Sequence, residues 1–262
     1  MSPRLFVLVP PSEAKAVGGV RHARPGTFDE VLHDARVLAL DALARLLATD
    51  DPRSWERVFR VRGPLLERAL GATSFLVDGR ATLWPAWRRY TGVVWSHLDP
   101  STLTIGERRR LLVPSGLYGV TTAADPIADF RLRLDVTVPP LGNLAAYWRP
   151  LLTPVLSDHV RRSTVVNLLP GQHASAIDLR ALGERCRVTD VTFINADGSG
   201  AAGHDAKAVK GVVARRLVRE GLSCLEGFEW EGWRSELVDG TVRLKAPRGT
   251  IKSRAQERSD LG

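Results

Sequence analysis

Apolar residues in this chain fall into two kinds of pattern. Short continuous runs bounded by glycine, proline and small polar residues read as buried strands. Leu5 to Val9 is the first, Leu111 to Val113 leads into the loop Ser115-Gly116-Leu117-Tyr118-Gly119, and Val165 to Leu169 carries one polar residue, Asn167. Two further stretches alternate with period two: Phe130, Leu132 and Leu134 are interleaved with Arg131 and Arg133, and Arg187 to Ile194 alternates throughout. That period predicts half-buried strands, the first showing its guanidiniums on one face.

Helical spacing fills the intervening lengths. Phe28, Val31, Leu32, Ala35, Ala39, Leu43, Leu46 and Leu47 predict a packing helix capped by Thr27, with Glu30 three residues on. A second helix is expected from Asp51-Pro52, carrying Trp55, Val58 and Phe59, and Gly63 separates it from a third. Asn143 caps a helix through Ala145, Tyr147 and Trp148, interrupted or restarted at Pro150 and Pro154. Asp205 caps another, whose stripe is Val209, Val212, Val213 and Leu217. Together these predict a mixed α/β fold: a central mixed sheet flanked by helices, with residues 28–100 mainly helical. A single domain over 1–245 and a charged, mobile tail over 246–262 complete the expectation.

Helix, glycine turn and helix around Gly63 have the form of a helix-hairpin-helix, whose turn amides grip DNA phosphates without reading bases. Arg60, Arg62 and Arg68 surround that turn and are its nucleic-acid-binding candidates. At Trp84 to Tyr90, aromatics stand beside Arg88 and Arg89; the expectation is core tryptophans with their arginines in solvent.

Composition narrows the function classes. A chain of 262 residues, 44% of them hydrophobic, is long enough for a sizeable core. No apolar run reaches the length of a membrane span, and Leu5–Val9 after Met-Ser-Pro-Arg is too short for a signal peptide. Cys186 and Cys224 stand in no metal-ligand spacing, so no metal and no cofactor are implied. A reduced, cytoplasmic protein without a membrane partner is expected, its oligomeric state left open. The net charge of +8 permits contact with nucleic acid or with small acidic ligands.

Several motifs carry a resemblance. Pro10 to Lys15 reads PPSEAK, Arg89 to Trp95 RYTGVVW and Ser115 to Gly119 SGLYG, followed by Asp125-Pro126-Ile127 and Phe130-Arg131-Leu132. YWRP at Tyr147, VVNL at Val165, KAVKG at Lys207 and GFEWEGW at Gly227 follow in order. The sequence resembles the YaaA family of bacterial peroxide-stress proteins over nearly its whole length. That resemblance implies DNA binding through a basic cleft and a part in the peroxide (oxidative) stress response. It departs from the family pattern at Pro170-Gly171-Gln172-His173, where the family carries a Ser-(Asn/Asp)-Glu-Tyr-like sequence. A fixed charge is replaced there by neutral hydrogen bonding, and a titrating imidazole is added.

Only five of the 37 basic residues are lysine, and Lys15, Lys207 and Lys210 all fall within these motifs. Lys207, Lys210 and His204 sit where a helix begins, a position that favours an anion. A second function therefore stands beside DNA binding: an enzyme acting on a nucleotide, nucleobase or other phosphorylated small molecule. Glu13, His173 and Lys207 are its candidate catalytic residues. Ser12, Lys15, Ser115, Tyr118, Arg131, Asn167, His204, Lys210 and Glu231 are its candidate ligand and phosphate contacts.

Overall fold

The computed structural model describes residues 4–238 and 241–247. Eight strands form one sheet: β1 (Leu5–Leu8), β2 (Leu111–Ser115), β3 (Gly119–Thr122), β4 (Thr164–Asn167), β5 (Arg187–Ile194), β6 (Glu229–Trp230), β7 (Trp233–Val238) and β8 (Thr241–Lys245). Their spatial order is β6-β7-β8-β5-β4-β1-β2-β3. From β8 to β2 the neighbours pair in parallel, and antiparallel strands close both edges. β1 lies inside the parallel part of the sheet and is buried along its length, as a strand covered on both faces requires. The mixed α/β architecture expected from sequence is the one found.

Helices occupy much of the chain between these strands, among them α1 (His33–Ala48), α2 (Pro52–Phe59), α3 (Pro64–Val77), α4 (Val93–Leu98), α5 (Leu144–His159) and α6 (His204–Glu220). α2 begins as predicted, with Asp51 accepting from the amide of Arg53 and Pro52 in the first turn. α1 starts later than its apolar spacing suggests. Residues 27–32 form turns, and Thr27 does not cap a helix because its amide and hydroxyl both donate to Asp125. A tertiary carboxylate has outcompeted the local cap.

α5 corrects a second expectation, since it runs unbroken through Pro150 and Pro154. Its stripe of Leu144, Ala145, Trp148, Leu152 and Leu156 is buried, and that packing outweighs about 3 kcal/mol for each interior proline. Asn143 caps it, accepting from Ala146 at 3.1 Å. α6 is preceded by Gly203 with φ 91°, so Asp205 lies within the first turn and does not cap it.

Phe130 to Leu134 keeps its alternation of buried apolar and half-buried arginine positions but belongs to no strand. The segment packs instead against the loop after β2: a Cβ on Gly116 would lie 2.7 Å from the carbonyl oxygen of Leu132. The run β6 to β8 lies beyond the strands that apolar patterning predicts. Thr241 to Lys245 does alternate, but its charges obscure a strand that pairs with β5. Of the predicted tail, Ala246 is buried and donates to Ile194, while residues 248–262 lie outside the described residues.

The expectation for Trp84 to Tyr90 fails for both tryptophans and for Arg89, whereas Arg88 is exposed as expected. Trp84 and Trp87 are only partly buried, stacked under the guanidiniums of Arg88 at 3.7 Å and Arg108 at 4.1 Å. Arg89, by contrast, has no exposed surface. Its guanidinium donates to the carbonyls of Ala16, Gly18 (3.0 Å), Thr82 (2.8 Å) and Ile127 (3.4 Å). Five donors in a planar fork suit an arginine to this task.

Arg89→Met is expected to lower the unfolding free energy by at least about 2 kcal/mol, because each buried carbonyl left unpaired costs about 1–3 kcal/mol; urea denaturation measures it. Gly211 provides a second test. A Cβ there would collide with the carbonyl oxygen of Val94 and lie 2.7 Å from the amide of Leu98, so α4 and α6 approach through a glycine. Gly211→Ala is expected to destabilise by about 1–3 kcal/mol through overpacking, read in the same denaturation experiment.

Candidate functional site

Two successive parallel strands leave β1 on opposite sides, β2 on one and β4 on the other. Loops that follow β1 and β4 therefore diverge and leave a crevice at the carboxyl ends of the strands, the position where open α/β sheets bind ligands. A cavity of about 550 Å³ occupies it. Pro10 to Lys15 enters from β1, Ser115 and Gly116 from β2, and Pro170 to His173 from β4. The first turns of α6 and the start of α4 complete the wall, with Phe130 to Leu134 opposite.

Local sequence explains how these pieces lock together. The chain after Lys15 is held by Arg89, and Lys15 forms a bridge with Tyr90 in the same motif. Gly92 packs so closely on Ser12 that a Cβ would lie 3.2 Å from the serine Cβ. Trp95 donates its indole N–H to the carbonyl of Pro10 at 3.1 Å. PPSEAK and RYTGVVW are thus two halves of one contact.

Eight of the predicted residues line the cavity: Ser12, Glu13, Lys15, Ser115, Arg131, His173, Lys207 and Lys210. Arg133 joins them, signalled in sequence by its two-residue spacing from Arg131. Glu13 sits between these arginines, bonded to Arg131 and at 3.0 Å to Arg133. Arg133 also holds Asp135 through both nitrogens, at 2.8 and 2.7 Å. Glu13 is thereby the counter-ion of two guanidiniums.

Lys15 is 7% exposed, and its ammonium donates to the carbonyl of Ser12 at 2.8 Å. It lies 4.2 Å from the ring centre of Phe130 and 5.5 Å from that of Tyr90. Burial holds its pKa down to about 7; the charges of Asp129 and Glu13 oppose the shift, while those of Arg131 and Arg68 add to it. Lys210 packs over Phe193 at 4.7 Å, and burial together with Lys207 brings it to about 8. His173 leaves Nδ1 buried without a partner among the described residues, and desolvation lowers it to about 4. This imidazole is neutral at neutral pH.

Other predicted residues stand elsewhere. Tyr118 borders a separate hollow of about 360 Å³, its hydroxyl accepting from the amide of Ala128 at 2.9 Å. Asn167 braces the sheet, donating to Asp190 at 2.7 Å and accepting from the amide of Leu169 at 3.0 Å. His204 is exposed at the start of α6, its ring 6.1 Å from that of His97. Glu231 is exposed in the turn between β6 and β7. Arg60, Arg62, Gly63 and Arg68 belong to the hairpin of α2 and α3. Arg60 and Gly63 take left-handed φ values of 56° and 54°, the freedom that glycine supplies at the turn. This hairpin borders the cavity, because Arg131 donates to the carbonyl of Phe59 and Arg68 to that of Lys15.

Both cysteines are buried thiols. Burial raises the pKa of each, that of Cys224 to about 12, so neither is poised as a thiolate. Among the described residues no helix is long and apolar enough to cross a membrane.

Comparison with known proteins places these features in context. The family described as "Peroxide stress protein YaaA" matches residues 5–237. A UPF0246 protein of Streptomyces coelicolor is 33% identical over 225 residues, which cover 83% of this chain and 84% of that protein. UPF0246 proteins of Phocaeicola vulgatus and Bacteroides thetaiotaomicron are 26% and 29% identical, over 68% and 57% of this chain and 75% and 63% of their own.

The lowered lysine predicts a pH dependence of stability. Folded Lys15 releases its proton near pH 7, whereas the unfolded chain keeps it up to the ordinary value of 10.5. The unfolded state binds more protons across that window, so the penalty is complete below it and fades as pH rises. Lys15→Met is expected to stabilise the protein by up to roughly 4 kcal/mol near pH 6, with the gain shrinking toward pH 10, as followed by chemical denaturation across pH.

Proposed function

The chain belongs to the YaaA peroxide stress protein family, and from that premise we propose that its cleft binds a phosphorylated small molecule, nucleotides included. One observation carries this reading. Arg131, Arg133, Lys207 and Lys210 converge with the first turn of the 17-residue helix α6 on one cavity that Lys15 also lines, where Glu13 is the sole acidic lining residue among those described. Cationic side chains and a helix N-terminus together suit phosphate. The apolar wall of Trp95, Phe130, Leu132 and Leu134 suits the less polar remainder of such a ligand. About 550 Å³ is the scale of a small molecule, and a duplex would meet only its rim.

Contact with DNA backbone is a second reading, favoured by the hairpin of α2 and α3 beside the cavity mouth. Arg62 leaves 84% of its side chain exposed there, next to the left-handed turn at Gly63. Such contact neutralises phosphates without reading bases, so it weakens steeply with salt. The part in peroxide stress carried by the family name is proposed for this chain as well, through the bound ligand and not through thiol chemistry, since Cys186 and Cys224 are buried.

A thermal-shift comparison of wild type, Lys207→Ala and Arg62→Ala, with nucleotides, pyrophosphate and duplex DNA at low and moderate salt, separates the two. The small-molecule reading expects a salt-tolerant shift with a phosphorylated compound, weakened at least about tenfold in Lys207→Ala and unchanged in Arg62→Ala. A salt-sensitive shift with any duplex, lost in Arg62→Ala and accompanied by none with small phosphates, would overturn it in favour of backbone binding.

A further inference from the structure

Lys15 differs from an ordinary buried lysine in having no carboxylate within ion-pair distance among the described residues. The nearby acids are engaged by arginines: Glu13 by Arg131 and Arg133, and Asp129 by Arg68 at 2.9 Å. Its amine faces a backbone carbonyl and two aromatic rings, yet it still lines the cavity. A lysine ammonium is a compact charge that one carbonyl satisfies only in part, unlike the guanidinium of Arg89 spread over four, so burying it without a carboxylate is costly. Here the surroundings favour the neutral amine, which is a nucleophile.

Four other cationic side chains line the same cavity from different elements. Arg131 and Arg133 come from the segment after residue 129, and Lys207 and Lys210 from α6. An anion held by them would present the rest of its skeleton to Lys15, between the walls of Phe130 and Trp95. We infer that Lys15 is a carbonyl-condensing amine, and that the cleft takes a phosphorylated aldehyde or ketone whose anionic group the arginines and α6 lysines hold. This rests on the anion-binding reading proposed above and names the substrate class within it.

The step is a condensation. The lone pair of neutral Nζ adds to the carbonyl carbon, the carbon–oxygen π bond breaks, and the amine's two hydrogens leave with that oxygen as water. A C=N bond to Nζ remains, and no oxidant or reductant is consumed. Ser12, whose carbonyl accepts from Nζ at 2.8 Å, orients the amine. Burial that brings Lys15 to about 7 makes the neutral amine available at physiological pH, whereas an ordinary lysine is protonated there.

The probe is pyridoxal 5′-phosphate, which combines an aldehyde, an aromatic ring and a phosphate. Its partner is pyridoxine 5′-phosphate, with an alcohol in place of the aldehyde. Full-length protein is incubated with the aldehyde at pH 6 to 8, reduced with borohydride, and the adduct assigned by peptide mass spectrometry among the five lysines. The inference expects Lys15 to carry at least about ten times the label of Lys207 or Lys210, the yield to rise through pH 7, and pyridoxine phosphate to protect it. Arg131→Ala is expected to reduce the label severalfold without loss of fold by circular dichroism. Thermal stabilisation by pyridoxine phosphate with label spread over Lys207 and Lys210, or with none, would overturn the condensation and leave anion binding standing. No stabilisation by either compound and no selective label would overturn both. Label on Lys15 that pyridoxine phosphate does not diminish would overturn the anion-held substrate class.

Discussion

The structure depends on a buried cation held by backbone carbonyls and by no carboxylate among the described residues. Arg89 spreads its charge over four backbone carbonyls contributed by three separate stretches of chain, around Ala16 and Gly18, at Thr82 and at Ile127. Delocalisation over a planar fork lets the guanidinium satisfy dipoles that a lysine's compact charge would meet only in part. Desolvation lowers the pKa of Arg89, yet a group so basic remains charged and continues to hold those carbonyls. A loop that follows a strand is ordinarily the least constrained part of a sheet protein. This one is tied at Arg89, at Tyr90, at Gly92 and at Trp95, so the side chains it carries face the cavity in a set arrangement.

Charge in the cleft is organised by the same division of labour between arginine and lysine. Arginines take the carboxylates: Arg131 and Arg133 share Glu13, Arg133 clamps Asp135, and Arg68 takes Asp129. Lys15 and Lys210 are left against aromatic rings with lowered proton affinity. Such an arrangement costs stability, and perturbed groups of this kind concentrate where chemistry or binding is performed. His173 belongs to the same pattern, as a neutral imidazole with one buried nitrogen unpartnered among the described residues. Pro170 to His173 brings no carboxylate to the cavity, where Glu13 is the sole acidic lining residue among those described.

Close approach of α4 and α6 joins these two features. Gly211 allows the helices to touch backbone to backbone, which brings Val93 to Trp95 and Lys207 to Lys210 to the same wall. The parallel strands β2, β1 and β4 set the crevice, and the helix contact sets its width. Neither is a property of the polar residues themselves.

The chain's apolar patterning was sufficient for the strands Leu5–Leu8, Leu111–Ser115 and Arg187–Ile194 and for the buried stripe of α6, because burial on a pleat or a helix face imposes a period that survives in the sequence. The scarcity of lysine and the motif positions were enough to single out Lys15, Lys207 and Lys210, all of which reach the cavity. Tertiary structure decided what no local pattern records. Thr27 gave up its cap to Asp125, ninety-eight residues away, and α5 continued through two prolines because its packing outweighed them. Arg89 became the most buried of the described arginines while its tryptophan neighbours stayed near the surface, because the carbonyls it serves come together only in the fold. Tyr118 and Asn167 turned to bracing for the same reason: whether a polar side chain faces a ligand or a backbone depends on groups distant in sequence that the sheet order brings beside it.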